Sequence, residues 1–361
     1  MRLDRFITLS MVQPLRRAFT APKRSDGGSP LDRFLPILMY HSISDDPESG
    51  VRPYYRVCTS PRRFREQMQW LNDNGYRGVT LSAGLAWLNS PHASTPAPDA
   101  DSHSARKPRE EGRSEVGHDH ESPITPHASR LTPLVAITFD DGFRDFYTHA
   151  FPILQQHGFS ATMYLPTAFI GQSRRLFRPS TLNSQSATDH ECLTWDEVRE
   201  LRGKGMCFGS HTVNHPQLAD LSRKEIEHEL RASKSELEQQ LGGAITSFAY
   251  PFAFPQNDRR FKESFRSLLS EAGYTCCATT AIGRVKLGDD PYALKRLPVN
   301  SLDDPAFFQA KLEGGYDWLA LPQRMVKKFK RRIPSPGKRN DGSSQPARSY
   351  EPALDSRTSD F

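Results

Sequence analysis

The chain has 361 residues, only 36% of them apolar, and a formal net charge of +6. This length allows one large domain or two small ones. No stretch approaches the roughly 20 apolar residues of a bilayer-spanning helix, which argues against a transmembrane protein. The five cysteines are odd in number and lack metal-type spacing, so we interpret them as reduced thiols. Reduced thiols favour a cytoplasmic location. A cytoplasmic protein could also bind peripherally at the inner face of the membrane.

Residues 1–33 precede the first convincing strand. Their charged start is followed by a short apolar segment that Pro14 interrupts, and Arg16 and Arg17 come next. This pattern is a poor secretory signal. We predict a leader that is disordered or weakly helical, with an interfacial helix as the less favoured form.

The first half of the main domain, which we place at 34–321, begins with an apolar strand at 35–40 that runs into His41. Ser60 and Pro61 supply an N-cap and a first helical residue for an amphipathic helix. A short strand at 79–81 and a further helix follow. From 89 to 130 the composition turns to Pro, Ser, His and charged residues without apolar periodicity, which predicts a disordered insertion with solvated histidines.

Along the whole chain, strands and helices alternate at least six times, which predicts a parallel sheet covered by helices. Candidate catalytic and metal-binding residues at several strand ends favour a barrel over an open sheet. The predicted strands of the second half are 134–139, 161–165, 206–210, 245–250, 274–279 and 294–299.

After 321 the chain becomes basic, and we predict a disordered tail at 322–361. Its basic run could contact anionic lipid headgroups or a charged polymer, although simple solvation explains it at least as well. No aromatic-rich groove indicates nucleic-acid binding.

One apolar strand leads straight into two adjacent carboxylates, in the stretch Val135 to Gly142. Parallel α/β folds place their chemistry at the carboxyl ends of strands. Asp140 and Asp141 repel each other and are costly to desolvate, and a divalent cation is one way to hold such a pair. The alternative is a solvated Asp-Asp-Gly turn.

A second short apolar run leads into His211-Thr-Val-Asn-His215. Two histidines four residues apart face the same way if the intervening turn is helical. Imidazole suits zinc and its neighbours, and three protein ligands with open positions are typical of a catalytic metal site. By itself, a pair with this spacing also occurs by chance. The two motifs each end a predicted strand, so one rim would bring Asp141, His211 and His215 together.

The two motifs, T-F-D-D-G followed by H-T-x-x-H-P, resemble those of the polysaccharide deacetylases of carbohydrate esterase family 4. The resemblance extends over roughly residues 34–300 without the insertion. I-L-M-Y-H-S and S-P-x-x-F…L-x-x-N-G-Y are similar to a bacterial branch of that family. The resemblance implies a deformed (β/α) barrel of mostly parallel strands and one divalent metal, usually zinc. It also implies the removal of acetyl groups from N-acetylated sugars.

Carried over by position, the resemblance makes Asp140 the general base. Asp141, His211 and His215 match the metal ligands, and cobalt, nickel or iron would suit such a set as well as zinc. The third motif is Tyr250-Pro251-Phe252, beside which the family has its oxyanion donor. Pro251 has no N–H, so Phe252 is the expected donor, with Tyr250 on the substrate side.

Two positions depart from the family pattern. Ala249 stands where the family has an arginine that braces the catalytic aspartate. Arg296, at another strand end, could supply the brace, or it could be a surface arginine. The family's late histidine, its usual general acid, is missing, because no histidine follows His228. His41 is the expected acid, since some relatives with an M-Y-H sequence look permuted, and a structural histidine is the alternative.

The leading hypothesis is a metal-dependent hydrolase that removes N-acetyl groups from a polysaccharide or an oligosaccharide such as an N-acetylglucosamine polymer. A second hypothesis keeps the enzyme class but replaces the sugar by another amide. The third is a non-catalytic carbohydrate-binding or scaffold protein on the same fold, which the altered third motif and the missing late histidine motivate.

Overall fold

A computed structural model describes residues 2–19, 33–90, 132–178 and 189–323. Most of the predicted insertion and tail, at 91–130 and 324–361, lies outside these ranges. Among the described helices, none has the length and apolar character to cross a membrane. The strands are β1 Phe34–Leu35, β2 Ile37–Tyr40, β3 Arg77–Val79, β4 Leu134–Phe139, β5 Thr162–Leu165, β6 Leu176–Phe177, β7 His190–Glu191, β8 Cys207–Ser210, β9 Ser247–Ala249, β10 Cys276–Ile282, β11 Val285–Lys286 and β12 Leu294–Pro298. The α-helices are α1 Leu3–Ile7, α2 Gln13–Phe19, α3 Pro61–Asp73, α4 Leu81–Asn89, α5 Phe151–Gln156, α6 Trp195–Gly203, α7 Arg223–Leu241, α8 Arg259–Glu271 and α9 Pro305–Leu312.

Seven parallel strands close into a barrel in the order β2, β12, β10, β9, β8, β5 and β4, and β4 pairs back with β2. β3 lies outside this ring and pairs with the first half of β4, whose second half pairs with β5. The helices pack around the barrel. The architecture confirms the deformed (β/α) barrel that the alternating pattern and the family resemblance predicted.

The side chains of β4 alternate between two environments, as those of a strand must. Val135, Ile137 and Phe139 belong to the large apolar cluster that includes the surrounding helices. Leu134 and Ala136 belong to a smaller cluster of residues from several barrel strands. The same alternation continues past the strand end and turns Asp140 toward the barrel interior.

Helix boundaries follow the capping signals of the sequence. The Ser60 hydroxyl accepts the Arg63 N–H at 3.2 Å, and α3 begins at Pro61. Two capping boxes form, one at Thr194 before α6 and one at Ser222 before α7. These caps satisfy backbone N–H groups that the first turn of a helix leaves without partners.

Two short strands that the sequence patterns did not predict, β6 and β7, lie between β5 and α6. β6 and β7 pair antiparallel, with Leu176 opposite Glu191 and Phe177 opposite His190. Two residues are too few to produce an alternating pattern, so periodicity could not reveal them.

The leader is helical rather than disordered over residues 3–19. α1 passes through a π-helical turn at Thr8–Val12 into α2. Arg2 pairs with Asp303 at 3.0 Å, and the Trp318 indole N–H donates to Thr8 at 3.0 Å. Long-range polar contacts therefore hold this segment against the region around α9, a source of stability that local sequence patterns do not report.

Gly78 in β3 provides a test of the packing between barrel and helices. A Cβ at this position would lie 2.6 Å from Ile137 Cδ1 and 2.8 Å from the Phe159 ring. We expect Gly78→Ala to lower the free energy of unfolding by about 1–3 kcal/mol, since overpacking forces neighbours out of place. Gly203→Ala is the matched control, because nothing lies within 4 Å of its Cβ position. Urea denaturation measures both, and equal stabilities would contradict the packing described here.

Candidate active site

Residues from both sequence motifs and from His41 gather at one rim of the barrel, where β2, β4 and β8 end. The Asp140 N–H donates to the Tyr40 carbonyl at 3.0 Å, and the His211 N–H donates to the Leu165 carbonyl at 3.0 Å. These bonds continue the strand ladders by one residue. They fix the height of each residue on the rim, as the common strand direction predicted.

Arg296 braces Asp140 through two parallel hydrogen bonds. Its Nη1 and Nη2 atoms donate to Oδ1 and Oδ2 of Asp140, each at 2.7 Å, and its Nε donates to the Thr279 carbonyl at 3.0 Å. Arg296 is 1% exposed, so the surface-arginine alternative is wrong. Burial by itself would raise the pKa of Asp140, but the Arg296 guanidinium, together with His211 and His41, lowers that pKa below its ordinary value. Asp140 is therefore held as a carboxylate.

Asp141, His211 and His215 form a compact cluster whose potential ligand atoms all lie within 4.8 Å of one another. Asp141 Oδ1 is 3.4 Å from His211 Nε2 and 3.3 Å from His215 Nε2. Neither approach has hydrogen-bond geometry, and Oδ1 is a buried oxygen without a donor. The two Nε2 atoms are 3.2 Å apart. A buried acceptor and two converging nitrogens are what a divalent cation would satisfy.

The tautomer of His211 fits a metal ligand. Its Nδ1 lies 2.8 Å from the Ala249 carbonyl, which can only accept a hydrogen bond. Nδ1 therefore carries the proton, and in the neutral ring the Nε2 lone pair faces Asp141 and His215. A backbone carbonyl that fixes the other nitrogen in this way is typical of metal-binding histidines.

The turn between His211 and His215 is not helical. We expected a helical turn to direct the two side chains to the same side, and that explanation is wrong. Thr212 and His215 have φ angles of 72° and 52°, and Asp141 has 74°. Left-handed conformations are costly for such residues and persist where the surroundings impose them. The two imidazoles meet because this irregular turn, rather than a helical one, joins them.

Glu229 of α7 holds that turn, and our reading of the sequence missed it. Its carboxylate accepts the backbone N–H groups of Val213 and Asn214 at 2.7 and 3.0 Å, and the Asn214 side chain at 2.8 Å. A signal was present. Glu229 sits between Ile226 and Leu230 on the apolar side of α7, and a buried glutamate among apolar residues needs partners.

His41 lies at the rim beside the braced carboxylate, with its Nε2 3.8 Å from Asp140 Oδ2. The next residue, Ser42, donates its hydroxyl to Asp145, whose pKa burial raises. Asp145 also accepts the Ile43 backbone N–H. These contacts anchor the turn that carries His41, and Asp145 is a positioning residue that no sequence motif indicated.

Phe252 and Tyr250 have different surroundings, since Phe252 lies beside His215 and Tyr250 lies in the apolar cluster outside the barrel. The Phe252 ring is 4.5 Å from the His215 ring, and the Phe252 carbonyl accepts the Thr280 hydroxyl at 2.9 Å. The Tyr250 ring is completely buried against Phe254 and Phe265 in the outer apolar cluster. The expectation that the Tyr250 side chain faces the substrate is wrong, because strand alternation turns Ala249 inward and Tyr250 outward.

Comparisons with known proteins agree with this geometry. Residues 128–277 match the family profile described as Polysaccharide deacetylase. The polysaccharide deacetylase homologue YxkH of Bacillus subtilis is 25% identical over 306 residues, which are 83% of this chain and 86% of that protein. The poly-beta-1,6-N-acetyl-D-glucosamine N-deacetylase of Escherichia coli is 25% identical over 178 residues, 49% of this chain and 20% of that protein.

Among solved structures, the deacetylase PplD of Streptococcus pyogenes in complex with acetate superposes with a TM-score of 0.53 at 23% identity. The match covers 77% of this chain and 98% of PplD, which supports the fold. The profile match includes both the Asp140-Asp141 and the His211–His215 motifs. Residues 128–277 therefore match a polysaccharide deacetylase domain, and we assign the chain as a hydrolase of the deacetylase type.

Proposed function

We propose that the protein hydrolyses the N-acetyl groups of an N-acetylated saccharide and that it does so with one bound divalent metal, zinc in the first instance. The observation that supports this proposal best is that a candidate general base and a candidate metal site lie side by side. A buried carboxylate braced by Arg296 lies next in sequence to a buried Asp-His-His cluster with an unsatisfied oxygen. The E. coli relative acts on a polymer of N-acetyl-D-glucosamine by name, and that class of substrate is our proposal for this chain.

Asp141, His211 and His215 would hold the metal. One carboxylate and two imidazoles suit zinc, and such a set leaves positions open for substrate and water. A metal bound there supplies Lewis acidity to the acetyl carbonyl and lowers the pKa of water.

The chain's own residues account for the proton transfers. Asp140 takes a proton from the water whose oxygen bonds to the acetyl carbon. The Phe252 N–H is our proposed donor to the oxyanion that forms as the carbonyl π bond opens. The carbon–nitrogen bond then breaks, and the leaving nitrogen takes a proton from His41. Acetate and a free amine are the products, and proton exchange with solvent restores Asp140 and His41.

The scaffold alternative has a physical cost that the enzyme proposal does not have. A protein that only binds sugar has no use for an unsatisfied buried carboxylate oxygen, and such a group destabilises the fold. Arg296 also removes one motive for that alternative. It reaches Asp140 from inside the barrel although Ala249 replaces the family arginine.

Acetate release from short N-acetylglucosamine oligomers by the zinc-loaded protein tests the proposal. We expect release with zinc, loss after chelation, and recovery when zinc is added back. A panel of simple acetanilides and acetylated amino acids distinguishes a sugar substrate from another amide. A zinc-loaded protein that releases acetate from neither group would overturn the proposed activity.

His215→Ala tests the metal cluster directly. We expect the variant to bind zinc at least about 100-fold more weakly, since losing a ligand exceeds the effect of outer-shell changes. Metal content after dialysis measures this without any assay of activity. His157→Ala, which removes a histidine at the end of α5 beside Phe159, is the matched control and should retain the metal. Equal zinc content in the two variants would exclude His215 as a ligand.

A further inference from the structure

The helical segment at residues 2–19, here called the N-terminal segment, exposes four large apolar side chains to solvent, while Leu9 packs against the core. Leu3, Phe6, Met11 and Leu15 are 70, 41, 55 and 59% exposed. An ordinary surface helix does the opposite and buries its apolar stripe against the core. These four residues need an explanation other than the stability of the barrel.

The inner side of the same segment is polar and already has its partners. Arg2 contacts Asp303, Arg5 contacts Asp304, and Gln13 contacts Glu313. Thr8 and Gln13 are buried, while the four apolar side chains are not. Ion pairs and hydrogen bonds therefore attach the segment to the barrel, and its apolar face stays available to another surface.

Further exposed apolar side chains lie near the start of the segment. Tyr54 interacts with the charges of Arg2 and Asp4 and hydrogen-bonds with Gln323. Its neighbour Tyr55 is 53% exposed, and Leu321 is 67% exposed. Large exposed apolar side chains therefore occur both on the segment and on residues that Tyr54 links to its start, and such groups of exposed apolar residues are typical of interaction sites.

Charge identifies the kind of partner. Residues 1–19 contain four arginines and one aspartate, although Arg2 and Arg5 already pair with Asp303 and Asp304. Residues 324–332 contain six lysines and arginines and no acid. The whole chain has a formal net charge of only +6, so the remainder is net negative. The basic run begins directly after Gln323, which contacts the Thr280 carbonyl at 2.9 Å and Tyr54. In the sequence, the concentrated positive charge therefore follows directly on a residue that contacts Tyr54, which itself interacts with the start of the N-terminal segment.

We propose that the N-terminal segment binds the surface of an anionic phospholipid bilayer. Its apolar face enters the boundary between headgroups and acyl chains, and residues 324–332 add attraction to the lipid phosphates. Apolar burial and electrostatic attraction are the two contributions from which interfacial helices gain their affinity. A second copy of the chain is a poorer partner, because its own basic segments would meet those of the first copy. This proposal is independent of the deacetylase function.

Co-sedimentation of the full chain with vesicles tests the proposal. We expect binding to vesicles of equal parts phosphatidylcholine and phosphatidylglycerol, and weaker binding to phosphatidylcholine alone. The triple variant Leu3→Gln, Met11→Gln, Leu15→Gln should bind the mixed vesicles about tenfold or more weakly. The variant Lys327→Gln, Lys328→Gln, Lys330→Gln should also lose about tenfold or more, and mainly with anionic lipid. Leu176→Gln with Leu287→Gln removes exposed apolar side chains elsewhere and should bind normally.

Several results would overturn the proposal. They are a wild-type chain that stays in solution with both vesicles, a triple variant that binds like the wild type, and an equal loss in the control. Size-exclusion chromatography tests whether a second copy of the chain binds this face instead. A wild-type dimer that the triple variant abolishes, without vesicle binding, would assign this face to a second copy instead. If the triple variant melts early, the single variants Leu3→Gln and Leu15→Gln replace it.

Discussion

Asp140→Asn is expected to reduce acetate release by about 100- to 10,000-fold, the usual contribution of a positioned acid–base group. Asparagine has nearly the shape of aspartate but cannot take a proton from the attacking water. The metal content should stay at the wild-type value, because the cluster of Asp141, His211 and His215 is unchanged. Asp141→Asn is the informative partner variant, since it should lose the metal as well as the activity. Metal analysis of both variants therefore separates the roles of two adjacent carboxylates.

The buried arginine complicates Asp140→Asn and offers a control for it. Without the carboxylate, the Arg296 charge is buried and unpaired, which costs about 3–5 kcal/mol in comparable cases. The double variant Asp140→Asn, Arg296→Met removes both charges and should regain much of that stability. Its activity should remain as low as that of Asp140→Asn. An active double variant would show that Asp140 is not the base, and that instability alone had inactivated the single variant.

The alternation of β-strand side chains explains both the correct and the incorrect parts of our sequence interpretation. Alternation turns Asp140 into the barrel, and the same rule applied to β9 turns Ala249 inward and Tyr250 outward. We predicted a substrate role for Tyr250 from its neighbours in the motif without applying this rule. The two-residue alternation of side chains along a strand was sufficient to exclude the Tyr250 side chain from the rim.

Other features depend on contacts that no local pattern contains. Arg296 and Asp140 are 156 positions apart, so the sequence could offer Arg296 only as one possible brace. Glu229 supports the histidine turn from a helix, and only its place on an apolar face indicated that it had a buried partner. The N-terminal segment is helical because distant residues near α9 bind it. Tertiary contacts decided these three features, and they are the ones that propensity and motif predict least well.

Asp303→Ala is expected to lower the free energy of unfolding by about 3–5 kcal/mol, because it leaves a buried lysine without its counter-charge. Lys311 is 1% exposed, and its Nζ donates to Asp303 Oδ2 at 2.7 Å and to the Pro298 carbonyl at 2.6 Å. Burial lowers the pKa of Lys311 more than the Asp303 carboxylate raises it. Arg2 also contacts Asp303, so the same substitution weakens the attachment of the N-terminal segment. Urea denaturation followed by circular dichroism measures the loss.

The double variant Asp303→Ala, Lys311→Met distinguishes an unpaired charge from simple loss of packing. Methionine keeps most of the lysine stem between Phe307 and Tyr316 but carries no charge. We expect it to recover a substantial part of the stability, since replacing a whole buried ion pair by apolar groups is often neutral. Glu263→Ala, which breaks the exposed pair with Arg259, should leave the unfolding transition where it is. A double variant no more stable than Asp303→Ala would mean that Asp303 acts through its other partners, Arg2 and the backbone N–H of Asn300, rather than through the lysine.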